Sequence, residues 1–178
     1  MLSAVCLTMA RYVTNVPSME MPQFEGVVLP EWIDANGHLN LAYYVVLFDQ
    51  ATDLLYDALG VGQAYREATG NSTFTAETHT LYEREVRVGE RVRVVPYLLG
   101  ADTKRLHYFH EMFHCEHGRR VAAQELMALH IDMSVRRVAA FPADLSQKIS
   151  DAVRACGDRP VPEGTGRRIA MPGGARSA

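Results

Sequence analysis

The apolar positions change period at Asn40. Beyond it Leu41, Tyr44, Val45, Phe48, Ala51, Thr52, Leu55 and Leu59 recur at spacings of three and four, the pattern of an α-helix with a buried face. Asn40 suits the position just before such a helix and Gly60 the position just after it, so a helix over 41–59 is predicted. Its first half, LAYYVVLF, is apolar all round, whereas Asp49, Gln50, Asp53 and Asp57 enter only later. The first two turns should therefore be enclosed on every side. After VGQAYREATGN, a short helix or loop, period two takes over. Residues 74–88 are rich in Thr, Val and aromatics. Alternation then runs through Val92, Val94 and Leu98, through Leu106, Tyr108, His110 and Met112, and through Val121 to Ile131, with turn signals at VGER, GADT and EHGR. Four long strands joined as an antiparallel meander are predicted. Pro96, which lacks an N–H, should mark an edge or a bulge in its strand. Leu145, Ile149 and Val153 recur at spacing four, predicting a short helix over 142–157.

One strand, one enclosed helix and four long strands make an α+β fold in which a curved antiparallel sheet wraps a long central helix, the hotdog arrangement. That domain should span 23–141. Residues 1–22 read as a flexible arm in which Met9, Met19 and Met21 are alternative starts. Residues 158–178, rich in Pro, Gly and Arg, read as a disordered tail. A sheet with an open edge predicts a homodimer or tetramer. The 178 residues suit one domain with its own core. A net charge of −3, with scattered basic residues, argues against nucleic acid or an anionic membrane as partner and favours a small metabolite. Cys6, Cys115 and Cys156 are odd in number and far apart, which points to a reducing cytoplasm rather than a disulfide framework. There is no basic leader and no apolar run long enough to span a membrane. The glycosylation match at Asn71 would matter only in a secreted protein.

The chemistry concentrates in EWIDANGHLNLAYYVVLFDQATD, residues 31–53. This stretch resembles the D-x-x-G-H-x-N-x-x-Y-x-x-x-F-[DE]-x-A block of hotdog acyl-CoA thioesterases of the 4-hydroxybenzoyl-CoA thioesterase type. The blocks FTAETHTLYEREVRVGERVRV, LGADTKRLHYFHEM and AAQELMALHIDM are similar to the strands that follow in that family. Within it, E-W-I-D-x-N-G-H-x-N and D-x-K-R-L-H-x-F-H are most similar to the betainyl-CoA thioesterases of bacterial carnitine degradation. The resemblance covers about residues 24–141. It implies hydrolysis of a short acyl-CoA, betainyl-CoA foremost, with no cofactor and with the catalytic carboxylate at Asp34. Another short or aromatic acyl-CoA, or a non-catalytic acyl-CoA-binding module, is the alternative, and a hotdog dehydratase lacks its His-centred helix motif here.

Physical chemistry says what each residue would do. Hydrolysis of a thioester needs a base or nucleophile at the carbonyl carbon and donors at the oxygen that becomes negative. The N–H groups at a helix N-terminus are unpaired and carry partial positive charge, so the backbone of Asn40, Leu41 and Ala42 is the expected oxyanion hole. Asp34 would activate water or attack directly; its plainer role is to order a loop turn. Asn40 caps the helix whether or not it touches substrate, His38 supports the mouth, and Gly37 lets the backbone turn. A quaternary ammonium in the acyl group would want aromatic faces and an acid. Trp32, Tyr43, Phe74, Glu77, His79 and Tyr82 are the expected substrate-binding residues, with Tyr44 on the core stripe. Arg84, Lys104 and Arg105, with Arg87, are expected to serve the CoA phosphates, unless they only pair with Glu83 and Glu85. No metal site is expected: His107 and His110 point to opposite faces of a strand, and only His110 and His114 share one. The elbow G-x-S-x-G, the Walker loop and G-x-G-x-x-G are all absent from the chain.

Overall fold

A computed structural model describes residues 21–157 and 159–171. The N-terminal arm and the far end of the tail lie outside the described residues, apart from Met21, which is buried in the core, and Pro22 beside it. The chain forms β1 (Phe24–Val27), a single 3-10 turn (Pro30–Trp32), α1 (Leu41–Leu59), α2 (Gln63–Thr69), β2 (Asn71–Tyr82), β3 (Arg91–Ala101), β4 (Arg105–His114), β5 (Arg120–Asp132), β6 (Arg137–Val138) and α3 (Ala143–Gly157). Helix α1 has the bounds its periodicity predicts. The Asn40 side chain accepts the Ala42 N–H, and Gly60 closes the helix in the left-handed region at φ +83°.

The sheet is antiparallel in the order β1-β3-β4-β5-β2, with the short β6 on β5. This corrects the meander: β3, β4 and β5 follow one another, but β2 pairs with β5 at the far edge instead of with β3. The predicted strand over 74–88 ends at Tyr82 because the chain must leave that edge and cross to β3. Residues 83–90 make the crossing in irregular form, pinned where the Leu39 N–H donates to Val86 O at 2.7 Å and the Val28 N–H to Glu90 O at 2.9 Å. Pro96 sits in the stretch of β3 beyond the reach of β1, whose pairing stops at Phe24 opposite Val94. On that flank no ladder N–H is missed.

Register sorts the strand residues into faces, because directly opposed residues of an antiparallel pair point the same way. Tyr108, His110 and Met112 of β4, with Gln124, Leu126 and Ala128 of β5 and Thr75, Thr78, Thr80 and Tyr82 of β2, lie on the inner face toward α1. His107, Phe109 and Glu111, with Ala123, Glu125 and Met127, and Phe74, Glu77, His79 and Leu81, lie on the outer face. On the inner side α1 buries Tyr44, Leu47, Phe48, Ala51, Leu55 and Leu59. Helix α3 adds Leu145, Ile149, Ala152 and Cys156 to the core that contains Leu59, Tyr97 and Leu98.

Two expectations fail in instructive ways. The first turns of α1 are not enclosed all round: Leu41 is 63% exposed, and Ala42, Val45 and Val46 are exposed with it. One sheet covers one side of a helix, and the flank beside the free edge of β2 is left open. The predicted disorder of the tail does not extend to its start either: the chain from Arg159 to Gly166 lies against the sheet, with Pro162 buried, whereas Ile169 and Met171 stand exposed. The Tyr97 hydroxyl donates to Arg159 O, Arg120 donates to Glu163 O, and the Gly166 N–H donates to Glu125 Oε2.

Candidate active site

The loop before α1 is a closed turn. Ile33 and Leu39 form an isolated antiparallel bridge. Between them the Asp34 N–H donates to His38 O at 3.1 Å and the Gly37 N–H to Asp34 O at 3.0 Å. Gly37 holds φ +82°, which a side chain would disfavour. Leu39, fully buried, anchors the turn in the core, and the Asn40 N–H donates to Trp32 O at 3.0 Å. Asp34 is thereby held half-buried on the flank of the helix mouth. One carboxylate oxygen accepts the Asn36 N–H at 2.8 Å, so the loop-ordering role is real; the other has only the Asn36 side-chain amide at 3.4 Å.

The helix N-terminus offers fewer free donors than its sequence suggests. The Asn40 N–H is spent on Trp32, the Ala42 N–H on the Asn40 side chain at 3.0 Å, and the Tyr43 N–H on Asn40 O at 3.0 Å. Among the described residues the Leu41 N–H has no partner, and neither has the side-chain NH2 of Asn40. Because Asn40 commits its oxygen to the cap, its amide nitrogen must face away from the helix. The donors left unpartnered at the positive end of the helix dipole are therefore the Leu41 N–H and the Asn40 side-chain amide.

A cavity of about 390 Å³ opens at this point, lined by Asp34, Asn36, His38, Leu39 and Leu41 on the loop and helix side. Tyr44, Tyr82, Glu83, Arg84 and Glu85 line the other side. The Tyr44 hydroxyl donates to Arg84 O at 3.0 Å and the Tyr82 hydroxyl to Leu41 O at 3.3 Å. Burial pushes the Tyr44 phenol up to about 12 and raises that of Tyr82, so both stay neutral donors. Their rings meet edge to face at 5.4 Å and 80°. His38 places Nδ1 3.3 Å from Leu39 O and Nε2 3.9 Å from Glu85 Oε1, the position of a brace. Glu83 is committed to Arg120, which forks between Glu83 at 2.6 Å and Glu111 at 2.9 Å.

The structure brings together only part of the set expected from sequence. Asp34, His38, Asn40, Leu41, Tyr82 and Arg84 meet at the mouth. Trp32 and Tyr43 stack on each other at 5.4 Å and 15°, packed against the core outside the cavity. Phe74, Glu77 and His79 lie on the outer face, opposite Leu129, Met127 and Glu125; register with β5, which the chain pattern does not reveal, puts them there. Lys104 and Arg105 stand at the opposite end of β4. Seven residues separate Arg105 from Met112, the β4 residue in line with Tyr82, or about 23 Å. Arg105 is held there by Asp102 at 2.6 Å. Conversely, sequence reading missed Glu85 as a mouth residue and, for Tyr44, favoured core packing over a place among the aromatic faces at the mouth. Tyr44 is in fact both, because its ring packs inward while its edge reaches the cavity.

The histidines have other partners. His110 Nε2 lies 2.9 Å from Thr52 Oγ1, His107 Nε2 2.7 Å from Glu125, and His114 Nε2 3.4 Å from Glu90 while its ring stacks on His117. Among the described residues no His, Cys, Asp and Glu form a group suited to a metal. A second cavity of about 590 Å³ lies along the later half of α1 beside Asp49, Asp53, Thr73 and Thr75. It reaches Gly62 and Gln63 at the start of the short α2, but its carboxylates, Asp49, Asp53, Asp57 and Glu67, stand on α1 and α2 and not on a loop before a helix.

Comparison with known proteins agrees with this geometry. Residues 28–149 match the family model described as the thioesterase-like superfamily. The chain is 40% identical over 155 residues to betainyl-CoA thioesterase of Pseudomonas aeruginosa, covering 87% of this chain and 98% of that protein. A solved protein of Staphylococcus aureus in complex with CoA superposes with a TM-score of 0.80 at 29% identity, over 90% of this chain and 100% of the other. A putative thioesterase of Pseudomonas putida does so with a TM-score of 0.73 at 31% identity, over 89% and 99%. With a curled sheet around α1, a carboxylate and an open helix N-terminus on one cavity, and these matches over most of its length, the chain belongs to the thioesterase-like superfamily of hotdog proteins.

Proposed function

We propose that the protein hydrolyses the thioester of a short acyl-CoA, betainyl-CoA foremost, releasing the free acid and CoA. The observation that carries this reading is that Asp34 and the unpartnered Leu41 N–H line one cavity. The carbonyl oxygen is received by the Leu41 N–H and the Asn40 amide, where the helix dipole stabilises the charge that develops on attack. Asp34 supplies the negative oxygen that starts the attack, on the carbonyl itself or on a water whose proton it takes. Collapse of the tetrahedral intermediate expels the CoA thiolate, which is protonated to the thiol; where Asp34 has attacked the carbonyl itself, water then hydrolyses the resulting acyl-aspartyl anhydride to the free acid and restores the carboxylate. The choice of acyl group rests on the name of the Pseudomonas aeruginosa relative, and the choice of CoA also on the Staphylococcus aureus complex.

The acting unit is a homodimer or a tetramer built from it, formed where the apolar flank of α1 and the free edge of β2 are exposed. Two β2 strands pairing antiparallel about a two-fold axis put the start of one beside the end of the other. The Lys104 and Arg105 end of the partner then approaches this protomer's mouth, where cations suit the CoA phosphates. The compartment is the cytoplasm; Cys115 and Cys156 are unpaired, and among the described residues no helix is long and apolar enough to cross a membrane.

Thiol release from betainyl-CoA and other short acyl-CoAs tests the reaction. Asp34→Asn should lower kcat by about a hundredfold or more with an unchanged thermal melt. Near-normal turnover in that variant would overturn the mechanism.

A further inference from the structure

We infer that the corner formed by Tyr44, Tyr82 and Glu85 is the subsite for a quaternary ammonium in the acyl group, and so sets acyl selectivity. The inference rests on the proposed thioester hydrolysis and goes beyond it in assigning the residues that choose the substrate. A trimethylammonium carries no N–H, so hydrogen-bond acceptors cannot hold it; it needs aromatic faces and diffuse negative charge. In a betainyl group the cationic nitrogen is two bonds from the carbonyl carbon. Its subsite must therefore touch the oxyanion site directly.

Tyr82 meets that condition. Its hydroxyl reaches Leu41 O at 3.3 Å, on the same residue whose N–H faces the reacting oxygen. Tyr44 stands beside it, its own hydroxyl tied to Arg84 O at 3.0 Å. Both phenol oxygens are thus occupied, and the rings are held edge to face at the cavity wall before any ligand arrives. Glu85 supplies the charge. Glu83 is held by Arg120, which it shares with Glu111, whereas Glu85 has only the His38 ring at 3.9 Å, and its side chain is 64% exposed. Arg84 lines the same cavity as a cation, and among the described residues its side chain pairs with neither acid. The aromatic pair Trp32 and Tyr43 stacks outside the cavity and does not line it.

Two substrates of the same shape separate charge from size: betainyl-CoA and tert-butylacetyl-CoA, in which a carbon replaces the ammonium nitrogen. The purified full-length protein should prefer betainyl-CoA in kcat/KM. Tyr82→Leu should shrink that preference about tenfold and Glu85→Gln about threefold, whereas Tyr82→Phe, which keeps the ring, should retain it. Thermal melts of all three establish that the variants are folded. If the wild type prefers betainyl-CoA and neither Tyr82→Leu nor Glu85→Gln alters the ratio, the subsite is wrong while the substrate stands. If the wild type hydrolyses both compounds equally well, the choice of a cationic acyl group is itself wrong. If it hydrolyses neither while releasing thiol from other acyl-CoAs, the same conclusion follows and thioesterase activity survives.

Discussion

The Asn40 amide presents two groups: its oxygen caps α1, and its nitrogen, without a partner among the described residues, is the proposed donor to the substrate oxygen. Two substitutions separate them. Asn40→Ala removes both, and should cost about 1 kcal/mol of stability, a fall of roughly 2–4 °C in Tm, along with activity. Asn40→Asp keeps the cap but sets a negative charge where the oxyanion forms; its melt should match the wild type while kcat falls at least tenfold. Wild-type turnover in Asn40→Asp would leave Asn40 as a cap alone. His110 makes a different prediction. Thr52 Oγ1 donates to Phe48 O, so His110 Nε2 donates to Thr52 and Nδ1 is left bare in the core. Full burial lowers its pKa from 6.5 to about 3. Below pH 6.5 the unfolded chain therefore binds one more proton than the folded one, so the stability this neutral ring contributes is complete above pH 6.5 and drains away as pH falls toward 3. Melts of wild type and His110→Gln across that window check it. The wild type should lose about 1.4 kcal/mol per pH unit more than the variant. Asp34, Gly37 and Asn40 are visible in the chain because each serves a local turn or cap; Glu85 is not, since what brings it to the mouth is a crossing between strands far apart in the sheet.

At the scale of elements, α1 is legible end to end because helix limits depend on neighbours three and four residues away. What α1 faces is less so. Its apolar first half reads as enclosed, yet a single chain encloses only the side toward β3 and β4 and leaves Leu41, Val45 and Val46 open. The extra apolar residues are accounted for if a second copy covers that flank. Val45→Asp with Val46→Asp should then turn a dimer into a monomer by light scattering and depress turnover, while the circular dichroism of the fold stays. A dimer that survives both charges would move the interface elsewhere. Strand existence was also legible, strand neighbours were not: alternation is the same whether β2 lies beside β3 or β5. The threonines on the inner face of β2 belong to this ambiguity, being equally suited to a polar floor and to a solvent face.

For the molecule as a whole, the segment after α3 shows where composition misleads. Proline and glycine predict disorder because such a chain buries little of itself, but this one borrows an existing surface. The outer face of the sheet offers Tyr97, Leu81 and Phe109 as a bed and Arg120 and Glu125 as fixed hydrogen-bonding partners. Gly164 permits the fit: it holds φ +97°, and a Cβ there would stand 2.9 Å from Leu81. Gly164→Val should lift the strap, seen as faster amide exchange at Gly166, with hydrolysis little altered because the mouth is on the other face; slow exchange in the variant would show the strap to be held elsewhere. The free edge of β2 carries a last consequence. Its register with β5 slips at Ala76, between Thr75 and Glu77, so the exposed edge is broken into two short runs instead of one long one. A stray extended peptide, or a misfolded chain in a crowded cell, can zip along one run and is then thrown out of step. The bulge thus guards the open edge against aggregation by shortening the run with which a foreign strand can pair.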